Sequence, residues 1–167
     1  MQRRLIVMRH AKSSWKEPGQ EDHERPLNKR GRRDAPRIAA ELAERGWAPA
    51  TVLCSSAVRT QETWGLMQAE LESEADLELR SDFYLAGLDA VRDALEELPD
   101  AASPVLVLGH NPGWESMAST LAGEPIGMTT ANAVLLEGEG ESWPLALAGP
   151  WRVAAVLRPK ELDPEDD

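Results

Sequence analysis

The sequence predicts an α/β protein, a three-layer α/β/α sandwich built on a mostly parallel central sheet with an antiparallel edge strand. Two observations support this prediction. Short apolar runs typical of buried strands alternate with segments that have the 3.6-residue periodicity of amphipathic helices. After Gly123 this alternation gives way to two apolar runs joined by turns rich in glycine and proline, a pattern typical of an antiparallel pair.

The elements follow in order from these local signals. We expect strands at residues 5–8, 51–54, 77–80, 105–108, 133–136 and 153–157, and helices at residues 32–45, 57–71, 89–98 and 114–121. Gly46 is the expected stop after the first helix, because glycine tolerates the left-handed backbone found there. Ser55 or Ser56 is expected to cap the second helix, and Asp89 the third.

Length and composition indicate one soluble domain. The chain has 167 residues, of which 42% are hydrophobic and 28% charged. We expect a single domain at residues 1–160 and a flexible acidic tail at residues 161–167. No run approaches the ~20 apolar residues of a membrane span, and no signal-peptide core is present. The one cysteine, Cys54, is expected to be a small buried residue without a disulfide, and the location to be cytoplasmic.

The distribution of charge favours an anionic ligand near the N-terminus. The net charge of −11 argues against nucleic acid as a partner, because phosphate backbones require clustered cations. Residues 1–33 nevertheless hold 10 of the 18 lysines and arginines and only 4 of the 29 acidic residues. An anion site and a solvated basic loop both fit this charge pattern.

Histidine and arginine follow three of the predicted strands. Arg9 and His10 come directly after the first strand, and His110 follows the fourth strand and Gly109. Arg59 lies in the first turn of the helix that follows the second strand, where the helix dipole also favours an anion. Because ligands bind beyond the carboxyl ends of parallel strands, these side chains are expected to converge there. Arginine grips phosphate bidentately, so the sequence predicts a phosphate site.

Four short motifs in this order resemble those of the histidine phosphatase superfamily, in particular its small SixA-type branch of phosphohistidine phosphatases. They are R-H-A-K at residues 9–12, R-P-L at residues 25–27 with Gly31 after it, S-S-A-V-R-T at residues 55–60 and G-H-N-P at residues 109–112. The resemblance covers nearly the whole chain. It implies a phosphoglycerate mutase-like fold and a phosphatase that needs no metal and no cofactor.

The resemblance also implies catalytic roles. A neutral His10 attacks phosphorus and forms a phosphohistidine intermediate, which water then hydrolyses. Arg9, Arg59 and His110 hold the phosphoryl oxygens and stabilise the charge of the transition state. His110 is most useful as the cation, so the two histidines need different environments. We expect the flanking arginines to disfavour protonation of His10, and bound phosphate to favour protonation of His110.

Further substrate contacts and the proton donor are less clearly marked. Asn111, Lys12 and Arg25 are expected to contribute to phosphate binding. Larger relatives carry a carboxylate general acid, but in this chain Asp82 is a poor match and an amide, Asn111, follows the second histidine. Asp22, in the loop that precedes Arg25, is therefore the candidate acid, with a solvated loop residue as the alternative.

These features lead to a preferred function and two alternatives. Imidazole leaving a phosphoramidate needs less help from an acid than an alkoxide does, so protein phosphohistidine is the expected substrate. Hydrolysis of a small phosphomonoester or sugar phosphate is the first alternative. A phosphoprotein-binding regulatory module without turnover is the second. The expected partner is thus a phosphorylated protein or a small phosphorylated metabolite.

Overall fold

The computed structural model describes residues 1–162 and contains the predicted strands and helices in the predicted order. The strands are β1 (Gln2–Arg9), β2 (Thr51–Ser55), β3 (Asp76–Arg80), β4 (Val105–Gly109), β5 (Ala133–Glu139) and β6 (Trp151–Leu157). The helices are α1 (Lys29–Glu44), α2 (Val58–Leu71), α3 (Leu88–Glu96), α4 (Gly113–Ala122), α5 (Trp143–Ala148) and α6 (Pro159–Leu162).

The strands form one sheet in the order β3-β2-β4-β1-β5-β6. β1, β2, β3 and β4 are parallel, whereas β5 pairs antiparallel with both β1 and β6. This arrangement confirms the predicted mostly parallel sheet with an antiparallel edge. It also places β1, β2 and β4 side by side, so that the segments after these three strands meet at one edge of the sheet.

Alternate residues of the central strands face two separate hydrophobic cores. In β1, Leu5 and Val7 pack with α3, α4 and α5, whereas Ile6 and Met8 pack with α1 and α2 on the other face. All four residues are fully buried. This period of two between opposite faces is the pattern of a strand covered on both sides, and it confirms the three-layer sandwich.

Two of the expected helix caps differ in the structure, whereas the expected stop after α1 is confirmed. Gly46 adopts a φ of 77° after α1, as expected. Ala57, with no side-chain hydrogen bond, occupies the N-cap of α2, because β2 continues to Ser55 and the helix begins only at Val58, after a bend. Gly87 is the N-cap of α3, so Asp89 lies within its first turn instead of capping it. The expected serine and aspartate caps were therefore wrong.

Two short helices were not predicted. α5 has six residues and α6 has four, and such lengths show too few turns for a helical period to be visible in the sequence. α6 extends the described chain to Leu162, two residues beyond the expected domain boundary. The expected flexibility of the tail remains a prediction, since residues 163–167 lie outside the described residues. Among residues 1–162, no helix is long and apolar enough to cross a membrane.

Gly113 is a point of close backbone contact that predicts a large loss of stability on substitution. A Cβ atom at this position would lie 1.7 Å from the carbonyl oxygen of Ala86, a backbone atom that cannot move aside. We expect Gly113→Ala to lower the free energy of unfolding by about 2–3 kcal/mol, measured by urea denaturation. Gly65→Ala in α2 is the control, because nothing lies within 4 Å of its Cβ position. That substitution is expected to be neutral or to stabilise by about 0.5–1 kcal/mol.

Candidate active site

The site lies where β1, β2 and β4 end. The chain leaves β1 through Arg9 and His10, and the backbone N–H of His10 donates to the carbonyl of Gly109 at the end of β4 (3.1 Å). His110 comes directly after the last residue of β4, and Arg59 is in the first turn of α2. The structure thus brings together the four residues that the sequence singled out. All but Arg9 are buried.

His10 has one ring nitrogen fixed and the other free of hydrogen bonds to described residues. Its Nδ1 lies 2.6 Å from the carbonyl oxygen of Ala11, which can only accept, so Nδ1 carries the proton and donates it. The lone pair is therefore on Nε2, the nitrogen that can act as a nucleophile. Burial lowers the pKa of His10 to about 4, with smaller contributions from the charges of Arg59 and Arg9. The expected neutrality of His10 thus arises first from desolvation and only then from the arginines.

His110 stands beside His10, with ring centroids 5.3 Å apart. Its Nε2 lies 2.7 Å from Ser55 Oγ, which also accepts the N–H of Ala57 (3.3 Å). The Ser55 hydroxyl can donate to Nε2, and in that tautomer the proton of neutral His110 is on Nδ1. Burial, followed by the charge of His10, lowers the pKa of His110 to about 3. The expected contrast between the histidines is therefore absent without a bound anion, because burial keeps both neutral.

Three buried polar atoms of this cluster have no hydrogen-bond partner within residues 1–162: Arg9 Nε, Arg59 Nε and His110 Nδ1. Buried polar groups in folded proteins are nearly always paired, so an unpaired group requires an explanation. All three are donors in the protonation states described above. Together they suit an anion with several acceptor oxygens, such as a phosphoryl group.

Asp22 contacts the site as the counter-ion of Arg59. Its Oδ2 accepts from Arg59 Nη2 (3.0 Å) and from the Tyr84 hydroxyl (2.5 Å), while its Oδ1 accepts from Arg25 Nε (3.1 Å). Burial alone would raise the pKa of Asp22, but the hydrogen bonds from Tyr84 and Arg59 outweigh it and lower the pKa to about 2. The carboxylate is therefore ionised at neutral pH. This geometry does not support the expected role of Asp22 as a general acid.

The other expected contact residues differ in how closely they approach the site. Arg25 is buried at its edge, where its Nη1 donates to Ser13 Oγ (2.8 Å) and its charge disfavours protonation of His10. The side-chain amide of Asn111 instead forms hydrogen bonds within the fold. It donates to the carbonyl of Met128 (2.8 Å) and accepts from a backbone N–H of α4. Its expected phosphate contact is therefore not supported. Lys12 lies in the turn after β1, and its substrate contact remains a prediction.

The sequence did not single out Tyr84, Ser55 and Glu115 as site residues. The Tyr84 ring lies edge-on to His110 at 5.5 Å between centroids, and Ser55 orients the same histidine. Burial lowers the pKa of Arg9, and the charge of Glu115, in the first turn of α4, partly offsets this lowering. Two of them had a visible signal, because Ser55 begins the S-S-A-V-R-T motif and Glu115 is an acidic residue shortly after the second histidine motif.

Two alternative chemistries find no support in the described residues. The Cys54 thiol is buried, and burial raises its pKa to about 12, so it is not a thiolate at neutral pH. Residues 1–162 contain no group of three or more histidine, cysteine or acidic side chains that could hold a metal ion. That the reaction needs no metal remains a prediction.

The low pKa values of both histidines predict a loss of stability in mild acid. Because the folded pKa values of about 4 and about 3 lie below the ordinary 6.5, the unfolded chain binds more protons below pH 6.5. The contribution of the two histidines to the free energy of unfolding should therefore be fully present above pH 6.5 and be lost as the pH falls. We expect a loss of about 2 kcal/mol per histidine by pH 5, measured by urea unfolding at pH 7.5 and 5. A His10→Gln variant with an unchanged pH dependence would contradict this assignment.

The fold and the buried cluster define an α/β phosphatase-type site, and comparison with known proteins identifies the family. Residues 5–84 match the family model described as histidine phosphatase superfamily (branch 1). An uncharacterized chloroplastic protein of Arabidopsis thaliana is 40% identical over 94% of this chain and 78% of its own length. An uncharacterized protein of Mycobacterium tuberculosis is 31% identical over 86% of this chain and 89% of its own length.

Solved structures give the same result. A protein of Nakamurella multipartitia provisionally assigned as the phosphohistidine phosphatase SixA is 27% identical, with a TM-score of 0.80 over 95% of this chain and 97% of its own. The protein histidine phosphatase SixA complexed with tungstate has the same fold, with a TM-score of 0.81 at 20% identity over 95% of this chain and 99% of its own. The chain belongs to the histidine phosphatase superfamily, in its SixA-type branch. As a member, it is a phosphatase.

Proposed function

We propose that the protein hydrolyses protein phosphohistidine without a metal ion, through a phosphohistidine intermediate on His10. The observation that carries this proposal is the hydrogen bond from His10 Nδ1 to the carbonyl of Ala11, which leaves Nε2 as the nucleophilic atom beside three buried donors without partners. SixA-type proteins also share the fold across nearly the whole chain.

In the first step, His10 Nε2 attacks phosphorus and the bond from phosphorus to the substrate nitrogen breaks. The donors Arg9 Nε, Arg59 Nε and His110 Nδ1 bind the phosphoryl oxygens, so the charge of the transition state is stabilised by groups already in place. The departing imidazole takes a proton from solvent. In the second step, water attacks phosphorus, releases phosphate and restores neutral His10.

Neither position expected to supply a general acid offers a free carboxylic acid, and this supports phosphohistidine as the substrate. Asp22 is ionised, and the residue after His110 is an amide already bonded to the fold. An alkoxide leaving group needs a positioned acid, which is typically worth ~10²–10⁴-fold in rate. Imidazole leaves with less help. The site therefore fits a phosphoramidate better than a phosphate ester.

Asp22→Asn separates a general acid from a counter-ion. If Asp22 donated a proton, the variant would lose about 10²–10⁴-fold in the rate of aryl phosphate hydrolysis. We expect a loss smaller than about tenfold, because the variant keeps the hydrogen bond from Arg59 to the backbone carbonyl of residue 22 and loses only the charge of the carboxylate that Arg59 also contacts. The measurement is kcat for an aryl phosphate and for free phosphohistidine. An effect confined to the aryl ester and larger than 10²-fold would restore the role of acid.

The function is tested by phosphate release in the presence of excess chelator. The wild-type protein is offered a histidine-phosphorylated protein and, separately, a simple aryl phosphate. Preference for the phosphohistidine substrate with full activity in chelator supports the proposal. Turnover of the aryl ester alone would move the substrate to small phosphomonoesters or sugar phosphates. Binding of the phosphoprotein without any turnover would instead indicate a regulatory binding module.

A further inference from the structure

Two exposed apolar side chains flank the candidate active site. Trp15 is 72% exposed and Leu85 is 59% exposed, although most large apolar residues of this chain are buried. The Trp15 ring lies 3.4 Å from Cζ of Arg25, and Leu85 directly follows Tyr84. Arg25 and Tyr84 both bind the carboxylate of Asp22, which in turn binds Arg59. We call Trp15 and Leu85 the docking rim.

Trp15 is held in place despite its exposure. The guanidinium of Arg25 stacks on its ring, and Arg25 itself is 7% exposed and hydrogen-bonded to Ser13 and Asp22. A cation stacked on an indole restrains both groups. An ordered, exposed tryptophan offers a large apolar surface with little further loss of entropy on binding. Tryptophan is accordingly among the residues enriched at the energetic centres of protein interfaces.

Leu85 is held in a backbone conformation that leucine disfavours. Its φ of 53° is in the left-handed region, which costs a non-glycine residue roughly 1–2 kcal/mol. The flanking chain fixes it there, since the N–H of Ala86 donates to the carbonyl of Phe83 and Gly87 packs against Gly113. The fold thus presents an apolar side chain to solvent at a strained position. Such strain is typical of residues that contact ligands or partners.

Burial of the reacting groups makes contact with this rim necessary for a protein substrate. His10 is 6% exposed, Arg59 3% and His110 1%, so a group that reaches them must pass the surrounding surface residues. A phosphohistidine on a protein surface must therefore bring its neighbours against the residues around the opening. We propose that the docking rim binds apolar side chains flanking a phosphohistidine, so that it selects protein substrates. This inference rests on the proposed function.

The test uses two nine-residue peptides that carry a stable phosphohistidine analogue at the centre. One peptide has leucine and phenylalanine on both sides of the analogue, and the other has serine at the same positions. Dissociation constants are measured by calorimetry with the full-length protein. We expect wild type to bind the apolar peptide at least tenfold more tightly than the serine peptide. Affinities within twofold of each other would overturn the proposal.

Variants then test whether the docking rim causes the preference for the apolar peptide. Trp15→Ala and Leu85→Asn should each reduce the preference for the apolar peptide at least threefold, and asparagine tolerates the left-handed backbone of Leu85. Leu145→Ala and Leu79→Ala are matched controls, because these leucines are 62% and 48% exposed on other elements. A preference that survives both rim variants, or that falls equally in the controls, would also overturn the proposal.

Turnover of free phosphohistidine is measured with the same proteins. Free phosphohistidine has no flanking residues, so the rim variants should hydrolyse it at a rate close to wild type. If wild type fails to hydrolyse both free phosphohistidine and a histidine-phosphorylated protein, the proposed function fails whatever the peptide affinities are. Normal turnover without a peptide preference would overturn the proposed role of the docking rim and would leave the proposed function supported.

Discussion

Replacing His10 by alanine is expected to lower kcat by at least about 10³-fold. The imidazole Nε2 is the atom in this site with a free lone pair and a fixed orientation, since Nδ1 is held by the carbonyl of Ala11. Without it, water must attack the substrate directly, with only the arginines and His110 to stabilise the transition state. The measurement is phosphate release from a phosphohistidine substrate at pH 7.5.

His23→Ala is the matched control for this loss. It removes the remaining histidine of the chain, which is not part of the buried pair and forms a hydrogen bond with Ser56 Oγ (3.0 Å). We expect its kcat to stay within about threefold of wild type. Comparable activity of His10→Ala and His23→Ala would show that His10 is not the nucleophile.

Arg59→Ala is expected to have the second largest effect, lowering kcat/KM by about 10²–10³-fold. The substitution removes a buried donor that has no hydrogen-bond partner in the described residues, and it takes from the carboxylate of Asp22 one of its three partners, the others being Tyr84 and Arg25. The same variant should therefore raise the pKa of Asp22 above its value of about 2. Carboxyl NMR titration measures this shift independently of turnover.

Arg59→Lys distinguishes geometry from charge. Lysine restores a positive charge but has neither the Nε–H donor nor the planar fork of arginine. We expect this variant to stay at least about tenfold below wild type. Full activity in Arg59→Lys would mean that a simple positive charge is sufficient, contrary to the fixed geometry described above.

Much of the fold could be predicted because its signals are local. The buried strands are continuous apolar runs, and glycine marks the end of α1. The short helices α5 and α6 have no such signal. The serine cap of α2 was mispredicted for a related reason, because Ser55 is the last residue of β2 and its hydroxyl contacts His110, which lies 55 residues away in the chain.

The positions of the candidate site residues could be predicted, whereas their electrostatic setting could not. Topology alone brings the ends of β1, β2 and β4 together, so Arg9, His10 and His110 were placed correctly from their positions after strands. The low pKa of Asp22 depends instead on hydrogen bonds from Tyr84 and Arg59, which lie 62 and 37 residues away in the chain. Contacts at such separations set pKa values and leave no periodic pattern.

The most direct test of the proposed mechanism is to trap the phosphorylated enzyme during turnover. Wild-type protein is mixed with a phosphohistidine substrate, quenched in alkali within milliseconds and digested for mass spectrometry, because phosphoramidates survive base and decompose in acid. The mechanism predicts phosphate on the peptide that contains His10, and no such adduct in His10→Ala. Steady phosphate release with no phosphorylated peptide, or with the phosphate on another residue, would contradict it.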